Sequence, residues 1–252
     1  MTTPRHYARA PITEAIIDLR VNLPPVVDVL KLSLVQAVGD SNYLDGEQLY
    51  SGYGQIQFGP QVSASASRSS TGFIFRSVDG KYIYQARLDG FTMSRLAPYE
   101  SWNVFRDEAR RLWDVYCSVA IPLSVGRLAV RYINRIDIPL PLQDFKDYLR
   151  TVPEVSPDLP QGLSAYFMQL AIPQNDIEAM ALINQTMIEP ASPGVVSVVL
   201  DVDIFRTTEF TPQEEGIWQF FEMLHDRKNE VFEACITDKA RGLFDDAPSF
   251  PL

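Results

Sequence analysis

Two long segments of this chain read as amphipathic helices, each with a single oily side. From Tyr99 to Ala120, residues Trp102, Phe105, Ala109, Leu112, Trp113 and Tyr116 recur at helical spacing. After Thr211-Pro212-Gln213-Glu214, residues Ile217, Phe220, Phe221, Leu224, Val231, Phe232 and Cys235 do the same. A helix with one apolar stripe must lay it on another element. Three runs with strand character precede each helix: about 55–67, 72–78 and 81–96 before the first, about 163–172, 178–188 and 195–206 before the second. Asp79-Gly80 is a hairpin signal, because a type I′ turn needs positive φ at both central positions. Pro98 suits a first helical position. Thr211 and Glu214 have the spacing of a capping box, in which the hydroxyl accepts from the Glu214 N–H. Hairpin-joined strands make an antiparallel sheet. The expected fold is therefore α+β, with duplicated antiparallel β-sheet units that each pack a long amphipathic helix in a helix-grip-like way. The stretch from Val152 to Gly162, with three prolines, separates a unit at 1–150 from one at 160–252, or both halves share one continuous sheet.

Two further strands, Ile12 to Leu23 and Gly126 to Leu140, alternate cleanly. In the first, Ala15, Ile17, Leu19 and Val21 share one side, and Glu14, Asp18 and Arg20 the other. In the second, Leu128, Val130, Tyr132, Ile136 and Ile138 share the apolar side, and Arg127, Arg131, Arg135 and Asp137 oppose them. The same alternation puts Gln85, Arg87 and Asp89 on the polar side of 81–96, and Ser197, Asp201 and Asp203 on that of 195–206. If these strands are neighbours, one sheet face carries a ladder of arginines and carboxylates. Its bland reading is cross-strand ion pairs on a wet face, each worth about 0.2–1 kcal/mol. Its functional reading is a recognition surface of Glu14, Asp18, Arg20, Arg87, Asp89, Arg127, Arg131, Arg135 and Asp137 for a partner chain or a small anion. Charge reversal at Arg131 and Arg135 is then expected to abolish capture with little change in stability. Asn134 interrupts the apolar side of its strand and is expected to clasp a neighbouring backbone, since a buried amide without a partner costs about 1–3 kcal/mol.

Composition narrows the options. With 46% hydrophobic and 21% charged residues over 252 positions, the chain can build a sizeable core. Net charge is −10, which makes nucleic acid an unfavourable partner. The charge is uneven: residues 1–150 hold 17 basic and 15 acidic side chains, residues 151–252 hold 5 and 17. Complementary faces of this kind can steer self-association. No window approaches the ~18 continuous apolar residues of a membrane span. Two cysteines make no disulfide framework, so a cytoplasmic protein with reduced thiols is expected.

Chemistry-bearing patterns are sparse. His6 and His225 have no Cys or His at metal-ligand spacing. There is no G-x-S-x-G and no phosphate-binding glycine fingerprint, so no cofactor is expected. Asp201 and Asp203 share a side, but two carboxylates are too few to hold a hard cation.

Three segments have a familiar order and spacing: Pro11-Ile12-Thr13-Glu14-Ala15-Ile16-Ile17-Asp18-Leu19-Arg20, Arg131-Tyr132-Ile133-Asn134-Arg135-Ile136, and Ile236-Thr237-Asp238-Lys239-Ala240-Arg241-Gly242-Leu243-Phe244. Together they resemble a sporadically distributed prokaryotic protein family of unknown function. The resemblance implies no catalytic residue; the patchy occurrence of such families associates them with mobile defence or toxin-type loci. The leading expectation is a non-enzymatic binding module that meets a protein partner or a second copy of itself. One alternative is a small-ligand carrier with Tyr82, Tyr84, Trp102, Trp113 and Trp218 lining a pocket between sheet and helix. Another is a metal-dependent hydrolase or nuclease built on Asp89, Asp201 or Asp203.

Overall fold

The computed structural model describes residues 7–39, 42–57, 59 and 63–245. His6 and the tail from Asp246 lie outside them. Nine strands form one antiparallel sheet: β1 (Ile12–Asn22), β2 (Glu47–Gln57), β3 (Ser63–Arg76), β4 (Tyr82–Arg87), β5 (Gly90–Leu96), β6 (Ser124–Pro139), β7 (Phe167–Gln174), β8 (Ala179–Ile188) and β9 (Val195–Phe210). Their order across the sheet is β2-β3-β4-β5-β1-β6-β9-β8-β7. The pair β1–β6 lies inside the sheet. Outward from β1 runs the meander β5-β4-β3-β2; outward from β6 runs β9-β8-β7. A short helix α1 (Leu34–Gly39) follows β1. The long helices α2 (Trp102–Ala120) and α3 (Gly216–Cys235) follow β5 and β9, and α4 (Asp238–Asp245) ends the described chain.

Both long helices lie on the same side of the sheet. Their stripes meet the apolar residues of the strands in one continuous core that includes Ile17, Leu19, Phe91, Val130, Tyr132, Leu200 and Val202. Sheet side chains alternate, so a strand with one oily side fixes which face the helices cover. Side by side, α2 and α3 are joined by Trp102. Its indole stacks on His225 at 4.3 Å and donates to Glu222 Oε2 at 2.9 Å. Further along, Trp113 Nε1 donates to the carbonyl of Pro212 at 3.1 Å. The rings expected to line a pocket instead touch other rings: Tyr84 stacks on Phe75 at 4.6 Å and Trp113 on Tyr116 at 5.5 Å.

Several sequence expectations need adjustment. The run 81–96 is two strands, because Leu88-Asp89 turns the chain back and lets β4 pair with β5. Glu47–Gln57 is a strand although it lacks alternation; its partner β3 supplies the pairing that its own side chains do not announce. Helix α2 starts after Ser101, whose Oγ accepts from the Val104 N–H at 3.4 Å, and Pro98 lies outside the helix. At Thr211 the box runs in one direction only. The Glu214 carboxylate accepts from the Thr211 N–H and hydroxyl, and α3 begins later, at Gly216. Asn134 behaves as expected, its Nδ2 donating to the carbonyls of Leu200 at 3.0 Å and Tyr132 at 3.2 Å. Among the described residues, no helix is long and apolar enough to cross a membrane.

Candidate functional site

The face opposite α2 and α3 collects the polar side chains of β4, β5, β1, β6, β9 and β8. Register places them: Arg20 faces Arg127, Asp18 faces Ala129 on one side and Thr92 on the other, and Arg131 faces Asp203. Long guanidinium arms then reach diagonally to carboxylates one strand over.

Three rungs result. The first crosses five strands. Asp18 Oδ1 accepts from Thr92 Oγ1 at 2.6 Å and Arg87 Nη2 at 3.1 Å; its Oδ2 accepts from Arg20 Nε and Arg127 Nη1, both at 3.1 Å. Arg127 continues to Asp203 Oδ2 at 3.1 Å and lies over the Phe205 ring at 4.4 Å. Arg20 and Arg87 both also bind Asp89, which sits in the β4–β5 turn rather than on a strand. The second rung is a bidentate pair: Arg131 Nε and Nη2 donate to Asp201 at 2.8 and 2.7 Å, and Asn184 Nδ2 adds a bond to Asp201 Oδ2 at 3.0 Å. The third joins Arg135 Nε to Asp137 at 3.0 Å and Arg135 Nη2 to Ser197 Oγ at 3.0 Å, with the Ser197 hydroxyl donating to Asp137.

These rungs bring together eight of the nine expected surface residues, and Glu14 contributes to the field at Arg131. Burial varies along them. Asp18 and Asp201 are buried, whereas the Arg131 side chain is 43% exposed. Burial lowers Arg87, but Asp18 and Asp89 outweigh it and hold the guanidinium above its ordinary pKa. Burial raises the Asp203 carboxyl; Arg127 and Arg131 pull it down without cancelling the rise, and Asp201 and Asp18 push it further up. Its Oδ1 is buried and has no hydrogen-bond partner. The arginine fork suits such pairing because its donors match a carboxylate edge.

Interleaved with the charges are half-buried apolar side chains: Ile16, Ile133, Val199, Phe205 and Leu182. Among the described residues, no group of three or more His, Cys, Asp or Glu side chains could hold a metal ion. Asp201 is committed to Arg131, and Asp203 to Arg127.

Two charged residues escaped the sequence reading. Lys228 sits on the covered side of α3, with Nζ 3.5 Å from the centre of the Tyr132 ring and 2.6 Å from Asn229 Oδ1. Burial pushes its pKa down to about 7. The signal was its place in the helical series Phe221, Leu224, Lys228, Phe232. Arg95 occupies the apolar side of β5 after Phe91 and Met93, pairs with Glu100 at 2.9 Å and covers the Tyr82 ring at 4.7 Å. Strand alternation alone marks it. The chain matches no family model, no curated protein and no solved structure.

Proposed function

We propose that this protein is a non-enzymatic binding module whose uncovered sheet face receives a protein partner. The observation that supports this most is a sheet of nine strands with α2 and α3 on one side and a mixed polar and apolar surface on the other. Its charges already satisfy one another, so the face has little net field to attract an anionic polymer. Interfaces of soluble proteins combine such fixed hydrogen-bonding groups with apolar patches. Prepaired arginines also lose little freedom on docking.

The same reading takes the two halves as copies of one unit. In support, each central strand is flanked by a meander, of four strands beside β1 and three beside β6, whose last strand in the chain leads to a helix of 19 or 20 residues. The cytoplasm fits a chain whose Cys117 and Cys235 are both free thiols.

The test is affinity capture from the native host, with Ile133→Arg and Thr186→Arg combined as the blocked variant. Ile133 lies opposite Glu14 and Asp201, so an added cation has acidic neighbours and the fold should tolerate it. A partner held by the natural protein and lost by the variant, at unchanged Tm, supports the reading. A partner held equally by both, or none at all, removes it.

A further inference from the structure

Segments that lie far apart in the chain meet at one cavity. Pro11 comes from the chain just before β1, Arg135 from β6, and Lys239, Gly242, Leu243 and Phe244 from α4. The cavity has a volume of about 570 Å³ and opens between the end of β6 and α4. That is enough space for a small organic molecule.

Its chemistry is lopsided. Arg9, Arg135 and Lys239 line it, against the single carboxylate Asp137. Counting Asp147, which holds Lys239, three cations meet two carboxylates, so the site keeps one unit of net positive charge in a chain of net charge −10. Each cation is held in place by a different element. Arg9 Nη2 donates to the Leu243 carbonyl at 3.3 Å, and the Arg9 N–H to the Phe244 carbonyl at 3.0 Å. Lys239 Nζ bonds Asp147 at 2.9 Å and lies over the Tyr148 ring at 4.7 Å. Arg135 is oriented by Asp137, Ser197 and the Glu189 carbonyl. Among the described residues Arg9 has no carboxylate partner; its donors meet only a carbonyl. The rest of the wall is apolar or flat, with Phe244 and Tyr148 both buried.

We propose that this cavity binds a small organic anion: a phosphate monoester or a carboxylate carried on an apolar or aromatic body. The cations recognise the charged end, and Pro11, Pro139 and Leu243 border the rest. This goes beyond the docking face, since it calls for no partner protein.

Gly242 offers a clean test. A Cβ placed there meets nothing within 4 Å, so Gly242→Leu can fill the cavity without displacing backbone. Titration of the full chain with phenyl phosphate and with benzoate, followed by calorimetry, identifies which anionic end is preferred. Inorganic phosphate and benzyl alcohol report charge alone and ring alone. Saturable binding is expected for at least one of the two aromatic anions, with each control weaker by about tenfold or more, or about 1.4 kcal/mol. Gly242→Leu and, separately, Arg9→Glu should each weaken that binding by a similar factor while Tm stays put. Equal binding by Gly242→Leu, equal binding of benzyl alcohol, or no binding of either anion up to about 5 mM would overturn the proposal. None of these results touches the capture experiment above, which leaves the cavity intact.

Discussion

Replacing Lys228 with methionine should make the protein more stable at neutral pH. Methionine has nearly the same length and fills the same space, so the change removes a charge without opening a cavity. The amine is 5% exposed. Its pKa falls from 10.5 to about 7, chiefly by desolvation, with Asp226 pulling the other way. At about 1.4 kcal/mol per tenfold change, that fall sets an upper bound of about 5 kcal/mol against the charged form. The Tyr132 face 3.5 Å away returns about 1–2 kcal/mol of it. The net gain for Lys228→Met at pH 7 is therefore at most about 3–4 kcal/mol. The pH dependence has a definite sign. A depressed folded pKa means the unfolded chain binds more protons between about 7 and 10.5, so stability from this site is full above 10.5 and is lost as pH falls toward 7. The advantage of methionine should therefore shrink as pH rises from 7 to about 10. Urea unfolding of both proteins, followed by tryptophan fluorescence across that range, measures the difference directly. If methionine is no more stable at pH 7, or its advantage does not narrow in base, the amine is not held in a dry site and the reasoning fails.

Other expectations follow from the same geometry. Arg131→Glu with Arg135→Glu, which sequence alone treats as nearly neutral for stability, should cost about 1–3 kcal/mol, because buried Asp201 loses its bidentate partner and gains a like charge beside a half-exposed position; an unchanged urea midpoint would contradict this. Gly90→Ala should destabilise strongly, since its Cβ would stand 2.1 Å from the Leu19 carbonyl oxygen at a φ of +156° that side chains rarely adopt. Gly52→Ala, whose Cβ meets nothing within 4 Å, serves as the mild control in the same thermal melts. Burial pushes the Cys117 thiol up to about 12 and the Cys235 thiol up to about 11. Both should react with a disulfide reagent slowly in the folded protein and fast in urea, and rapid labelling of the native state would show the burial to be wrong.

Alternation made much of this molecule readable in advance. In β6 Leu128, Val130, Tyr132, Ile136 and Ile138 lie on the covered side as alternation requires, with Asn134 the polar exception among them, and the ladder on the opposite face follows from the same count. Likewise, the stripe from Trp102 to Tyr116 is covered as its spacing requires. What escaped was whatever depends on pairing at a distance. Residues 47–57 have mixed small and polar side chains, and only hydrogen bonds to β3 make them a strand. The order of strands placed β1 between β5 and β6, which no local pattern encodes. At the candidate site, residue types and faces were legible. The diagonal choice of partners was not, because Arg131 faces Asp203 in register yet reaches Asp201. The cavity stayed hidden for a related reason: its three contributing segments are each unremarkable until the fold closes them around one space.

The position of β1 has a consequence for how the chain is made. It precedes both of its neighbours in the chain, β5 and β6, which end at Leu96 and Pro139. Everything from β2 through α2 must be made before β6 closes the second edge of β1. Until β5 and α2 have followed, Ala15, Ile17, Leu19 and Val21 have neither sheet nor helix over them. Long-range pairing of this sort slows folding and leaves a sticky nascent segment in the meantime. The charged residues Glu14, Asp18 and Arg20, which later anchor the open face, alternate with those apolar positions and keep the waiting segment hydrated.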